Sequence, residues 1–370
     1  MNAERLNRIL QIINEEFEKT NQIELIQGLI KGLNGQISEP QETTHQQNVA
    51  AALKELREIL PNAESNKFSP AWIQILKELG LYDYLGNQLL NTINLIVQNN
   101  NITVSLAADE FTKLFNHMNA LRIAVQQLVK GFKTFHIGYE LLEVGECEVG
   151  ILIPRIAVDN NLGKLRKELS DLEFILNHFA EVVQGEKPII EIRALSSSDL
   201  SILLDYAPSA GAFLAVALER IVAAYKNFLE IKKLRLELKK MEVPENTLSE
   251  LDEFINHGMQ EEIIKFLDEN FDTYCKAKDN GRKNELRTSL EIAMNKIANR
   301  VDRGFNFEIR VEYIKPEEIE GEEAEGKEPK IDKNVKTILD AQKSLEYIKA
   351  EGEPILSLPE NDKPKTRSKK

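Results

Sequence analysis

The sequence contains few of the residues from which catalytic, metal and redox centres are built. It has two cysteines, Cys147 and Cys275, and five histidines in 370 residues. Two cysteines this far apart neither complete a zinc site nor form a short-range redox pair. No histidine has another histidine or a cysteine at helical ligand spacing. We therefore predict no metal, no cofactor and no assembled catalytic motif, with two reduced thiols in a cytoplasmic protein.

Basic residues are also fewer than acidic ones. The chain has 47 Lys and Arg residues against 60 Asp and Glu residues, which gives a net charge of −13. A surface that neutralises phosphates needs an excess of positive charge, so the composition argues against general nucleic-acid binding. The first residues carry acids within their apolar stretch and lack a small-residue cleavage site, so we predict no secretory signal.

What the sequence does contain is amphipathic helix. In residues 1–133 apolar side chains recur at the spacing of three and four that places them on one helix face. Ser69 and Pro70 form an N-cap followed by proline at the first helical position, which marks a helix start. The sequence therefore predicts a helical N-terminal region over 1–133.

The periodicity changes after Gly131. The sequence predicts strands at 134–142 and 146–154 joined as a hairpin, a third strand at 188–195 and a fourth at 305–314. A long helix is predicted from 208 to 241, and the order strand–helix–strand fits a βαβ-like or a split α+β unit. The predicted fold class is α+β, helix-dominated, with a small mixed sheet of about three or four strands in the central and C-terminal region, 134–314.

Residues 315–370 have a different composition. The first part is rich in Glu, Gly and Pro, which is typical of a solvated linker. We predict an isolated helix over 331–351 and a disordered tail with a basic end over 359–370. A helix on such a linker is able to dock in a groove of a partner.

One set of apolar residues in the long helix follows alternating steps of four and three, the spacing of a coiled-coil seam. The set comprises Leu214, Leu218, Ile221, Tyr225 and Phe228. We interpret it as an interaction surface. The leading hypothesis is a non-enzymatic scaffold or interaction protein that forms a homo-oligomer or a hetero-complex through its helices.

A second hypothesis rests on residues 202–218, which are mostly apolar and contain one charged residue, Asp205. This stretch is interpreted as a buried core helix, a close oligomer seam or a segment that inserts into a membrane. Membrane insertion would suit an effector of a bacterial toxin or antiphage (antiviral defence) system, since a basic helix end follows at 232–240.

A third hypothesis concerns a polar cluster predicted to lie between a strand and a helix. Ser196, Ser197, Ser198 and Asp199 form this cluster. Its hydroxyls and amides are suited either to an anion site or to capping the next helix. An enzyme would need Ser197 and Asp199 to meet a distant histidine, such as His136 or His178, in the folded chain.

Overall fold

The computed structural model describes residues 3–100, 103–138, 142–196, 200–241, 244–312, 332–349 and 352–361. The chain forms two compact units, residues 1–141 and 142–370, which we call unit 1 and unit 2. The predicted fold class is confirmed: the described residues are dominated by helices and include one small four-stranded sheet.

Unit 1 is helical throughout its described part. Its α-helices are α1 (Ala3–Thr20), α2 (Gln22–Ser38), α3 (Thr43–Ile59), α4 (Pro70–Glu78), α5 (Gly86–Asn99) and α6 (Val104–Thr134). The predicted helix start at Ser69 is confirmed, because the Ser69 side chain accepts a hydrogen bond from the Trp72 amide with Pro70 in the first turn. The apolar faces of these helices meet in one core, which includes Ile9, Ile26 and Phe111.

The carboxylate of Glu16 is buried within this helical unit. Glu16 is 3% exposed and accepts hydrogen bonds from the Ser65 amide at 2.7 Å and the Ser65 hydroxyl at 2.9 Å. Burial raises the pKa of Glu16 above its ordinary value, although the two bonds from Ser65 act in the opposite direction.

Unit 2 combines the sheet with long helices. Its elements are β1 (Cys147–Ile153), α7 (Leu162–Gln184), β2 (Ile192–Ser196), β3 (Leu200–Tyr206), α8 (Pro208–Lys240), α9 (Glu245–Tyr274), α10 (Asn280–Asp302), β4 (Asn306–Val311) and α11 (Lys333–Ser344). The strand order is β2-β3-β1-β4, and each described pair is antiparallel. The sheet is therefore antiparallel where mixed pairing was predicted, because β2 turns back into β3 and does not pair with β1 as a βαβ unit requires.

Two strand predictions need correction. The predicted hairpin of 134–142 with 146–154 is not formed by the described residues: α6 runs to Thr134, a turn follows, and β1 pairs with β3 and β4. Residues 139–141 of the predicted strand lie outside the described residues. The second correction concerns 202–218, a stretch interpreted above as one helix, which contributes to a strand that was not predicted. Its first part belongs to β3, and α8 begins at Pro208. A short apolar run that is buried on both faces does not alternate, so its period does not separate strand from helix.

Helix α8 crosses the sheet closely at Gly211. A Cβ added at Gly211 would lie 2.6 Å from the Sγ atom of Cys147 in β1. Glycine at this position therefore permits α8 and β1 to touch, and Cys147 is 1% exposed. Burial raises the pKa of the Cys147 thiol to about 12, so the group is neutral at physiological pH.

The predicted isolated helix at 331–351 is docked on unit 2. Helix α11 packs against α8 and β4, and its apolar side chains Val335, Ile338 and Ala341 are buried in the unit 2 core. The Gln342 side chain donates to the carbonyl of Ile309 in β4. The expectation of an isolated helix fails because α11 has an apolar face and unit 2 offers a matching one.

Candidate functional site: a groove filled by residues 352–361

Of the polar cluster predicted as an anion site, the structure describes Ser196 alone. Ser196 is the last residue of β2, and Leu200 begins β3. Ser197, Ser198 and Asp199 lie outside the described residues. The element that follows is a strand, so the strand-to-helix turn on which the anion-site and capping interpretations relied is corrected here.

The predicted coiled-coil seam lies inside unit 2. Leu214, Leu218, Ile221 and Tyr225 are at most 2% exposed and belong to the unit 2 core. Phe228 is partly buried against the same core, and a Cβ added at Gly258 in α9 would lie 2.7 Å from its ring. The heptad-like spacing therefore reflects packing of α8 on its own unit, and the four buried side chains are not available to a second copy while the unit is folded.

The structure also shows where the residues of the membrane-insertion hypothesis and the histidines of the enzyme hypothesis lie. Among the described helices, none combines the length and the apolarity needed to cross a membrane. His136 belongs to unit 1 and His178 to unit 2, where the His178 Nδ1 atom lies 2.7 Å from the Phe174 carbonyl oxygen. Within the described residues, no group of three or more His, Cys, Asp or Glu side chains is positioned to hold a metal ion.

A group of polar side chains in unit 2 binds residues 352–361, which we call the docked segment. Residues 359–361 were predicted to belong to a disordered tail, but the structure places them here. The segment starts at Gly352 with a φ of 74°, close to Leu236 of α8. It then runs without helix or strand along α9 and α10. Ile355, Leu356 and Leu358 are 8%, 8% and 5% exposed and join the unit 2 core.

Four polar side chains bind the backbone of the docked segment, and we call them the backbone clamp. They are Asn256 of α9 and Asn295, Asn299 and Asp302 of α10. Positions 295, 299 and 302 are separated by four and three residues, so they share one face of α10. Together the clamp residues engage the chain from the amide of Ile355 to the carbonyl of Pro359.

Two asparagines of the clamp bind the segment through both ends of their amide groups. Asn299 accepts from the Leu358 amide at 2.9 Å and donates to the Leu358 carbonyl at 3.0 Å. Asn256 accepts from the Ser357 amide at 2.7 Å and donates to the Ile355 carbonyl at 3.2 Å. These bonds read the backbone and not the side chains, which is how an extended polypeptide of varied sequence is held.

Asp302 anchors the start of the segment and balances a buried lysine. One carboxylate oxygen accepts from the Ile355 and Leu356 amides, and the other accepts from Lys232 Nζ at 2.6 Å and Tyr225 Oη at 2.9 Å. Lys232 is 4% exposed and Asp302 is 1% exposed. A buried ammonium without a partner destabilises the fold, so the Asp302 carboxylate stabilises Lys232 in the core as well as binding the docked segment.

The end of the segment meets a group of ionised side chains, which we call the charge cluster. It comprises Glu168 and Asp171 of α7, Lys296 and Arg300 of α10, and Arg303. Glu360 of the segment lies 3.4 Å from Lys296 Nζ and 3.5 Å from Arg300 Nη1. Its Oε1 atom also accepts from Asn299 at 2.9 Å.

The ion pairs of the charge cluster lower the pKa of one of its carboxylates, Asp171. Burial acts to raise the pKa of Asp171, but the hydrogen bond from Lys296 and the charge of Arg300 outweigh it, and the pKa is lowered. Asp171 is therefore ionised at neutral pH and keeps its negative charge beside Lys296 and Arg300.

Sequence reasoning did not find this groove. The signal that was present is a polar stripe, Asn295, Asn299 and Asp302, on a helix whose neighbouring positions Ala298 and Val301 are buried. Polar residues on a buried helix face need partners. The partners here come from residues 355–360, of which only Pro359 and Glu360 fall in the predicted disordered tail and the others have no predicted structure.

The chain matches no protein-family model, and no curated protein or solved structure is significantly similar to it. What the geometry shows is a set of polar side chains that bind the backbone of the chain's own residues 355–359.

Proposed function

We propose that this chain is a cytoplasmic interaction protein whose unit 2 binds an extended polypeptide segment of a partner in the groove now filled by residues 352–361. The observation that carries the proposal is the backbone clamp, because Asn256, Asn299 and Asp302 recognise N–H and C=O groups that every polypeptide has. The two free thiols are consistent with a reducing compartment.

The docked segment is, in this proposal, a competitor in cis. A segment tethered to its own binding site is present there at an effective concentration on the order of millimolar. A partner must therefore outcompete it, and the affinity of the groove for an outside segment is reduced by the fraction of time the groove is filled. Such an arrangement gives an interaction protein that is closed until a partner arrives.

The first test opens the groove in the full-length chain. Leu356→Asp combined with Leu358→Asp places two charges in buried positions and should release the docked segment. A labelled peptide with the sequence GEPILSLPEN, residues 352–361, should then bind the double variant at least about tenfold more tightly than the wild type, by removal of the cis competitor. Fluorescence anisotropy measures the binding.

A matched control is Ser357→Asp, because the Ser357 side chain is exposed between the two buried leucines. It should leave the groove closed and binding as weak as in the wild type. The proposal fails if the double variant keeps its far-ultraviolet circular dichroism but does not bind the peptide. It also fails if the double variant unfolds, since the segment would then be an inseparable part of the core.

A further inference from the structure

One residue of the backbone clamp, Asn295, makes a hydrogen bond to a described residue with only one of its two polar side-chain atoms. Asn295 donates from Nδ2 to the Pro359 carbonyl at 2.9 Å. The residue is 2% exposed, and its Oδ1 atom has no hydrogen-bond partner among the residues that the structure describes. Asn299, one turn further along α10, pairs its Oδ1 atom with the N–H and its Nδ2 atom with the C=O of Leu358, and Nδ2 also donates to Glu360 Oε1.

The difference follows from the residue that faces each asparagine. In an extended chain the N–H and C=O of one residue point the same way, so the group that would pair with Asn295 Oδ1 is the N–H of residue 359. Residue 359 is proline, which has no N–H. The amide of Asn295 cannot turn over to avoid the mismatch, because the Pro359 carbonyl requires a donor.

The docked segment is therefore an imperfect occupant of its own groove. A buried acceptor without a donor weakens a complex more than an average hydrogen bond strengthens one. An occupant with an ordinary residue at this position would satisfy Asn295 without losing any other contact of the clamp.

The charge cluster adds a second requirement. It contains three cations, Lys296, Arg300 and Arg303, and two carboxylates, Glu168 and Asp171. Without Glu360 the cluster carries one excess positive charge in a largely buried place, where unpaired charge is costly. An occupant must therefore bring a carboxylate to the position of Glu360.

We propose that the partner of this groove is a protein with an extended segment of defined chemistry. The segment has two apolar residues, a spacer, a third apolar residue, any residue with a backbone N–H and then an acidic residue. This inference rests on the proposed function and names its ligand. It also disfavours a second copy of the chain as the occupant, because every copy carries Pro359 and gains nothing over the segment in cis.

Three peptides on the full-length Leu356→Asp, Leu358→Asp variant test the ligand. The first is GEPILSLPEN, the second replaces the proline at position 359 by alanine, and the third replaces it by N-methylalanine, which lacks the N–H and the ring. The alanine peptide should bind about fivefold to tenfold more tightly than the proline peptide, since the completed hydrogen bond outweighs the lost rigidity of proline. The N-methylalanine peptide should lose that gain.

Two further measurements locate the effect. Asn295→Ala in the same variant should erase the difference between the alanine and proline peptides. A glutamine at position 360 of the peptide should weaken binding about tenfold or more, and that effect should shrink in high salt.

The outcomes separate this inference from the function on which it rests. Equal binding of the alanine and proline peptides would overturn the ligand assignment, with Asn295 then satisfied by water, while leaving the peptide groove in place. Absence of binding by all three peptides would remove both. A light-scattering mass of the wild type at twice 42.1 kDa that returns to 42.1 kDa with Leu356→Asp would make a second copy the occupant and overturn the partner assignment.

Discussion

The Asp302 side chain has two structural roles. It neutralises Lys232 in the core of unit 2 and accepts the first two amides of the docked segment. Asp302→Ala removes both, and the uncompensated buried ammonium should lower the free energy of unfolding by about 3–5 kcal/mol. Urea unfolding followed by far-ultraviolet circular dichroism measures the loss.

Asp340→Ala is the matched control for Asp302→Ala. Asp340 pairs with Lys343 at 2.9 Å on the surface of α11, and both side chains are more than half exposed. An exposed pair of this kind contributes about 0–1 kcal/mol. Losses of similar size in the two variants would show that Lys232 is solvated in a way that its burial does not suggest.

At the scale of elements, the contact of α8 with β1 depends on the missing side chain of Gly211. Alanine normally stabilises a helix interior by about 1 kcal/mol relative to glycine. At Gly211 the added methyl group would lie 2.6 Å from Cys147 Sγ, and the overpacked contact should instead destabilise unit 2 by about 1–3 kcal/mol. Thermal unfolding of Gly211→Ala measures the sign.

Gly131→Ala serves as the control, because an added Cβ at Gly131 in α6 meets nothing within 4 Å. It should be neutral or stabilising. A stabilising effect at both glycines would mean that α8 and β1 move apart at little cost.

The elements also show how far sequence reasoning reaches. Strand β4 was predicted well, since Phe305, Phe307, Ile309 and Val311 alternate as one face of a strand requires. Strand β3 was missed because its residues are buried without alternation. The clamp was missed because it is formed by residues far apart in the chain: Asn256 and Ser357 are 101 positions apart, and no local pattern records their hydrogen bond.

At the scale of the whole molecule, each unit has its own hydrophobic core. Trp72, the single tryptophan of the chain, is 6% exposed in the unit 1 core. Its fluorescence therefore reports unit 1, whereas circular dichroism reports both units. We expect Asp302→Ala to shift only part of the circular dichroism transition in urea and to leave the Trp72 transition in place. Equal shifts of both signals would show that the units unfold cooperatively.

The position of α11 and the docked segment on unit 2 has a consequence for how the protein is made. A ribosome completes α8, α10 and β4 before it reaches the residues that cover them, Ile338 and Leu356 among them. The apolar faces of a nascent chain therefore stay open to water until translation has passed residue 358. A chain whose translation stops earlier leaves those apolar faces exposed to solvent. Complete burial of the unit 2 core therefore requires synthesis to at least residue 358.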